Sequence, residues 1–238
     1  MSAPLPLEQP AWRPHTRSLQ LVPVQAPIDD PRHRILNVLV AVVGVVATSV
    51  LMLVIAVIVK LTSRGPAIFK QTRVGVDRRS PFGTHHNARR SRDLGGKPFG
   101  IYKFRTMRYD SGATQVWARP DDDRVTPVGR VLRRYRLDEL PQLFNVLRGE
   151  MNVVGPRPEQ PDLFVSLRDQ IDRYPARQGV LPGITGWAQI NLAYDSSVDD
   201  VRKKLDYDLE YIRRRSPLED LRIMARTVPV MLGKRGAR

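Results

Sequence analysis

Residues 35–59 carry no charged side chain. This run, ILNVLVAVVGVVATSVLMLVIAVIV, is longer than the roughly 20 residues a helix needs to cross a bilayer. It predicts a membrane helix over 34–60. It is too long, and begins too far from the N-terminus, for a secretory signal, whose apolar core spans about 7–15 residues. Arg32 and Arg34 precede the run, and Lys60, Arg64, Lys70 and Arg73 follow it. Basic residues favour the cytoplasmic side, so both ends read as cytoplasmic. The expectation is a re-entrant helix that enters one leaflet and turns back. The run contains no proline to bend it. Gly44 and the Thr48-Ser49 pair are the remaining devices, because short hydroxyl side chains rebond to the preceding turn and bend a helix.

Upstream, residues 1–33 carry seven prolines (Pro4, Pro6, Pro10, Pro14, Pro23, Pro27, Pro31) without an amphipathic period, which predicts a disordered extension. Downstream the pattern becomes that of a soluble domain over 61–238. AIFKQTRVGV (67–76) and PFGIYKFRTM (98–107) mix β-branched and aromatic residues between Gly and Pro and predict short strands. The basic stretch 77–96 between them lacks apolar period and predicts a loop. Val131, Leu132, Tyr135, Leu140, Leu143, Phe144 and Leu147 recur at helical spacing, which predicts helices interrupted near Pro141. Leu205, Leu209 and Ile212, then Leu221, Met224, Val228 and Met231, predict helices over 199–232. The fold class expected is α/β, helix-rich with few short strands, on one N-terminal membrane helix.

Composition narrows the partners. The 238 residues include 39 Lys and Arg against 24 Asp and Glu, a net charge of +15. Such a balance points to anionic partners: nucleic acid, an acidic membrane surface or a phosphorylated small molecule. There is no cysteine, which excludes disulfides, thiolate nucleophiles and Cys-ligated metals. The adjacent His85 and His86 lie in the basic stretch and read as loop residues rather than metal ligands. The membrane run and the lack of a recognised binding motif argue against a nucleic-acid partner.

The candidate chemistry sits in RRYRLDELPQLFNVLRGEMNVVGPRPE, where Arg133, Arg134 and Arg136 lead into Asp138 and Glu139. Taken alone the pair reads as an ordinary helix start, with Asp138 as N-cap, Glu139 near the positive helix end and Pro141 in the first turn. The sharper reading is a pair of carboxylates that holds a divalent cation, suited to magnesium and a pyrophosphate, while one attacks phosphorus. GPRP (155–158) places Arg157 on a rigid turn, and PGITGWAQ (182–189) offers Gly, Thr and an amide. Such loops present N–H groups and a guanidinium to phosphate oxygens. Trp187 by itself reads as a core anchor more readily than as a base-stacking platform.

The ordered set GPAIFKQTRVG, GKPFGIYKFRTM, LDELPQLFNVLRGEMNVVGPRPE, LPGITGWAQIN and YDLEYIRRRSPLEDLRIMARTV behind an apolar N-terminal run resembles the bacterial sugar transferase family, the monotopic phosphoglycosyl transferases. The likeness covers about residues 34–238. It implies a cytoplasmic catalytic domain on the bacterial inner membrane that moves a sugar 1-phosphate from a UDP-sugar to polyprenyl phosphate. The reaction is ping-pong and releases UMP. It further implies Asp138 as nucleophile and Glu139 as its partner in holding Mg2+. Phosphate and nucleotide-sugar contacts would come from Lys103, Arg105, Arg133, Gly155, Pro156, Arg157 and Pro158, and from Thr185, Gly186, Trp187 and Gln189, with Asp208 in a supporting role. The tail resembles members that start exopolysaccharide or O-antigen units with a hexose phosphate. Dimers occur in such families, so a homodimer is an allowed assembly. The chain departs from the family pattern at Val50, where a proline is common, and at Asn37, where an acidic residue is common. The alternatives are a basic nucleic-acid-binding protein and an inactive membrane scaffold; the intact Asp-Glu pair argues against the second.

Overall fold

The computed structural model describes residues 30–77, 95–108, 122–192 and 197–232. The proline-rich extension up to residue 29, residues 78–94 of the basic stretch and His85-His86 lie outside them. Helix α1 spans Pro31–Thr62, so it takes up the last residues assigned above to the extension. Asp30 caps it, its side chain accepting from the Arg32 amide at 2.9 Å, and Pro31 occupies the first turn, where its missing N–H costs nothing. The helix is unbroken, and at 1.5 Å per residue about 48 Å long. Thr48 and Ser49 do rebond, donating to the carbonyls of Gly44 (2.7 Å) and Val46 (2.9 Å).

One stripe of α1 is buried from end to end: His33, Asn37 and Ala41, then Met52, Ile55 and Val59. Between them Gly44 lets Leu143 approach so closely that an added Cβ would stand 3.1 Å from its Cδ1. The opposite face, with Leu39, Val43, Val46, Val50, Leu53 and Leu61, is exposed. Among the described residues α1 is the one helix long and apolar enough to cross a membrane.

Strands β1 (Ile68–Val74) and β2 (Pro98–Phe104) pair antiparallel from Ile68 with Phe104 to Val74 with Pro98. Helix α2 (Pro127–Arg134) follows, capped by Thr126. A 3-10 turn, Leu137–Glu139, leads to α3 (Gln142–Leu147). The helical break runs from Tyr135, through Arg136 with its left-handed φ of 57°, to Pro141, the N-cap of α3, so the interruption expected near Pro141 is present. Strand β3 (Asn152–Val154) pairs in parallel with β4 (Gly183–Thr185). Helix α4 (Pro161–Gln170) and a 3-10 segment, Tyr174–Gly179, connect them. Then come α5 (Trp187–Asn191), α6 (Val198–Arg214) and α7 (Pro217–Leu232). The helix-rich α/β expectation with few short strands therefore holds. The main core gathers Val146, Met151, Val154, Phe164, Tyr174, Leu205, Tyr211, Ile212 and Ile223. A smaller cluster seats Met52, Ile55 and Val59 of α1 on Phe104 and Leu132.

Candidate active site

Three segments converge on the acidic pair. Strand β2 delivers Lys103, and Asn145 of α3 locks that strand in place by accepting from the Tyr102 amide (3.0 Å) and donating to the Gly100 carbonyl (2.8 Å). Helix α2 delivers Arg133, whose Nε donates to Thr106 Oγ1 at 2.9 Å. The loop after β3 delivers Arg157. The left-handed turn at Arg136 then folds the chain so that Asp138 and Glu139 both sit in the 3-10 turn, each only 7% exposed. Asp138 is thus not a helix N-cap; the residue in that position is Arg136, and no side chain caps the turn.

The two carboxylates differ sharply in their surroundings. Glu139 Oε1 receives Lys103 Nζ at 2.9 Å and Arg157 Nη2 at 3.0 Å, with Arg136 Nη1 at 4.0 Å. Burial alone would raise the Glu139 carboxyl, but Lys103, Arg157 and Arg136 outweigh it and hold the group well below the usual carboxylate range. Asp138 makes no side-chain hydrogen bond or ion pair among the described residues. Burial, followed by the charge of Glu139, pushes it above the ordinary Asp value despite Lys103, Arg133 and Arg157 nearby. Neighbouring carboxylates driven apart in this way have separate jobs available to them: one permanently charged, one a group whose charge is under-compensated.

The loop carrying Arg157 is built from backbone. The Gly155 amide donates to Thr185 O and the Gly183 amide to Pro156 O, both at 2.9 Å. This approach leaves no room for a side chain: a Cβ on Gly155 would meet Leu181 O at 2.5 Å, and one on Gly186 would meet Gly155 O at 2.3 Å. Pro158 O accepts from Arg73. Beneath the loop, Arg177 Nη2 donates to Arg157 O at 3.0 Å and lies 2.8 Å from Asp208 Oδ2, Nε donates to the same Asp208 oxygen at 3.0 Å, and Nη1 reaches Glu159 (3.1 Å) and Tyr174 Oη (2.7 Å). Lys204 Nζ closes the group on Glu159 at 3.0 Å. Asp208 therefore acts through Arg177 on the Arg157 loop.

The structure brings Lys103, Arg133, Gly155, Pro156, Arg157 and Pro158 to the pair or to the loop that serves it. It places Arg105 elsewhere. The Arg105 guanidinium is buried and donates to the carbonyls of Pro66 (2.5 Å), Ser63 (2.7 Å) and Val59 (3.2 Å) and to Ser63 Oγ (2.8 Å), so it clamps the end of α1 rather than facing a substrate. Thr185 bonds Thr227, Trp187 Nε1 donates to Glu210 Oε2, and Gln189 Nε2 donates to Ile184 O; these side chains are engaged with α7, α6 and β4. Sequence reasoning missed Arg177 and Asn145. Neither stands in a motif with chemical content, and only the fold reveals that Arg177 underpins Arg157.

Among the described residues no three His, Cys, Asp or Glu side chains form a ready metal cage. The Asp138-Glu139 pair is still suited to a magnesium ion, which keeps several waters and takes one or two carboxylates together with substrate phosphates. The observation that favours it is the buried Asp138 carboxylate, 7% exposed and without a side-chain hydrogen bond among the described residues.

The family model for bacterial sugar transferases matches residues 28–234. The chain is 41% identical over 206 residues to an Aeromonas hydrophila UDP-N-acetylgalactosamine-undecaprenyl-phosphate N-acetylgalactosaminephosphotransferase, covering 85% of this chain and 44% of that one. It is 41% identical to a Caulobacter vibrioides UDP-glucose:undecaprenyl-phosphate glucose-1-phosphate transferase, covering 85% of this chain and 70% of that one. Identity is also 41% to a Xanthomonas campestris protein with the same glucose-1-phosphate transferase description, with coverages of 84% and 38%. The chain thus spans less than half the length of the first and third of these relatives.

Proposed function

The chain belongs to the bacterial sugar transferase family, and on that premise we propose that it transfers a hexose 1-phosphate from a UDP-sugar to undecaprenyl phosphate through a covalent Asp138 intermediate. The observation that carries this reading is the split between the two carboxylates: Glu139 gathers three cations, while buried Asp138 has cations nearby but no ion pair among the described residues. An Asp138 oxygen attacks the sugar-linked phosphorus, the bond from that phosphorus to the UMP oxygen breaks, and UMP leaves with the electron pair. An oxygen of the lipid phosphate then attacks the same phosphorus. The acyl phosphate bond breaks, the Asp138 carboxylate returns, and the product is a lipid-linked sugar diphosphate.

Each neighbour has a task in that reaction. Lys103 and Arg157 orient Glu139 and face the phosphoryl oxygens, where preorganised cations stabilise developing charge. Arg133, held by Thr106, adds a third positive group near Asp138. Asp138 and Glu139 would hold Mg2+, which when bound supplies neutralising charge to the diphosphate. Chelation should then stop UMP release, and added Mg2+ should restore it.

The anchoring of α1 supports the proposed membrane placement. Arg34, at its start, donates to Val146 O (2.6 Å) and Leu147 O (2.7 Å) at the end of α3. Arg105 grips its other end. A straight crossing would separate these two anchors by about 30 Å of hydrocarbon, yet both belong to one packed domain. This supports a monotopic arrangement in which α1 does not cross the bilayer, and the basic residues on both flanks of α1 support a re-entrant path with the domain on the cytoplasmic face of the inner membrane. A single cysteine at position 20, probed in intact spheroplasts with an impermeant thiol reagent, should stay unlabelled; labelling there would refute the arrangement.

Changing Asp138 to Asn should abolish UMP release from a UDP-hexose, and turnover at the wild-type rate would remove Asp138 from the mechanism. The relatives include proteins named for glucose and for N-acetylgalactosamine. A UMP-release panel over UDP-glucose, UDP-galactose and their N-acetylated forms identifies the sugar, with a hexose expected to be fastest.

A further inference from the structure

A cleft of about 220 Å³ is lined by Trp187, Arg214, Glu219, Arg222, Ile223 and Arg226. The guanidinium carbons of Arg214 and Arg226 stand 5.1 and 5.5 Å from the Trp187 ring centre. Contact with the ring leaves the donor edge of Arg226 available for a further ligand, with Arg214 beside it. Arg214 is shared between Glu210 (3.3 Å) and Glu219 (3.9 Å), and Arg222 reaches Glu219 at 3.4 Å. No carboxylate approaches Arg226 within ion-pair distance among the described residues. Three cations thus face two acids, and the unmatched charge lies beside the aromatic floor.

The surroundings say what kind of anion belongs there. On the same helix, Leu218, Leu221 and Val228 are 58%, 48% and 56% exposed. At 100° per residue they fall on the side of α7 opposite buried Ile223, with Arg222 and Arg226 on the flank between. An apolar ridge bordered by arginines is the arrangement of a helix lying at a lipid surface, with its cations at headgroup depth. Helix α7 is also tied to the membrane helix, since His33 Nε2 of α1 stands 3.8 Å from Asp220.

We propose that the Trp187–Arg214–Arg226 cleft binds a phosphate group, and that its source is the headgroup of an anionic membrane lipid seated beside the apolar ridge of α7. The proposal rests on the membrane reading above but not on the chemistry at Asp138. Guanidiniums take a phosphate in a two-pronged hydrogen bond, while Leu218, Leu221 and Val228 accept the adjoining acyl chains.

Of the three tryptophans, changing Trp12 and Trp117 to Phe leaves Trp187 as the sole tryptophan, which is excited selectively over tyrosine at the red edge of its absorption. The full chain in this background is placed in nanodiscs of phosphatidylcholine with increasing phosphatidylglycerol. Trp187 emission should change saturably with the anionic lipid. Arg226→Ala should raise the half-saturating fraction about fivefold, whereas Arg202→Ala, on the exposed part of α6, should leave it in place. Asp138→Asn should lose UMP release yet keep the lipid response, so failure of one reading is distinguishable from failure of the other. Equal emission in both lipids, or an Arg226→Ala curve matching that of Arg202→Ala, overturns the proposal. In discs without phosphatidylglycerol, an equivalent response to inorganic phosphate would make the free ion the ligand. The same response to UMP would make the cleft a nucleotide pocket. Either result overturns the lipid assignment.

Discussion

Two buried charge clusters flank Arg157 and obey opposite rules. On one side Arg177, Lys204, Glu159 and Asp208 balance two cations with two carboxylates, every one of them paired at 2.8–3.1 Å. Burial alone would raise Glu159, but Lys204 and Arg177 bring it down to about 2. On the other side Lys103, Arg136 and Arg157 crowd onto a single oxygen of Glu139, while its neighbour Asp138 is buried without an ion pair among the described residues and its carboxyl is pushed upward. A balanced cluster holds backbone in place; an unbalanced one is poised to bind charge that arrives from outside. Arg157 links the two, with its carbonyl in the first and its guanidinium in the second.

The largest expected effect breaks the unbalanced side. Asp138→Asn should cut kcat by at least about 10³-fold. It should also stabilise the fold at pH 7, by on the order of 1 kcal/mol, the usual trade at a strained functional site. A carboxyl raised by folding favours the folded state below its ordinary pKa of 3.8 and loses that contribution as pH rises through the raised value. The gain in Tm should therefore shrink as the pH is lowered toward 4. Next, Glu139→Gln removes the negative charge that Lys103 and Arg157 share. A loss in kcat of about 10²-fold is expected, with chemical rescue by Glu139→Asp only partial.

Breaking the balanced side should look different. Arg177→Gln leaves Asp208 and Glu159 buried with less compensation and should cost about 3 kcal/mol in denaturant unfolding. Its kinetic effect should be smaller, about tenfold, and seen more in KM than in kcat, because Arg157 is misplaced rather than lost. Glu159 contributes stability in full above its ordinary value of 4.5, and this is lost as pH falls toward about 2. Glu159→Gln should therefore flatten the acid limb of the unfolding profile. The smallest kinetic effect is assigned to Arg105→Gln. It should lower stability by about 2 kcal/mol through the freed carbonyls at the end of α1 while kcat per folded molecule stays within about twofold. A large kcat loss there would return Arg105 to the substrate site.

The parts of the molecule legible in the sequence are those governed by local pattern. The apolar run gave α1, β-branched and aromatic residues between Gly and Pro gave β1 and β2, and helical spacing gave α6 and α7. Asp138 and Glu139 stood out only with their flanking motifs. What the sequence hid depends on contacts between distant segments. The left-handed turn at Arg136 has no glycine to mark it. Arg105 sits in the same stretch as Lys103, yet two residues along a strand pair and its exit send one to the acidic pair and the other to α1. Asn37, a departure from the family pattern, accepts from the Val153 amide at 2.5 Å and donates to His33 O at 2.7 Å. An acidic residue there offers the first bond but not the second. Arg177 has no local signature at all.

The covalent step at Asp138 is the centre of this account, and mass spectrometry reads it directly. The full chain, mixed with a UDP-hexose in the absence of lipid phosphate and quenched, should gain the mass of one phosphohexose. Peptide mapping should locate it on Asp138, and the adduct should disappear when undecaprenyl phosphate is added. Full turnover with no adduct at any time, or an adduct on another residue that survives Asp138→Asn, would contradict it.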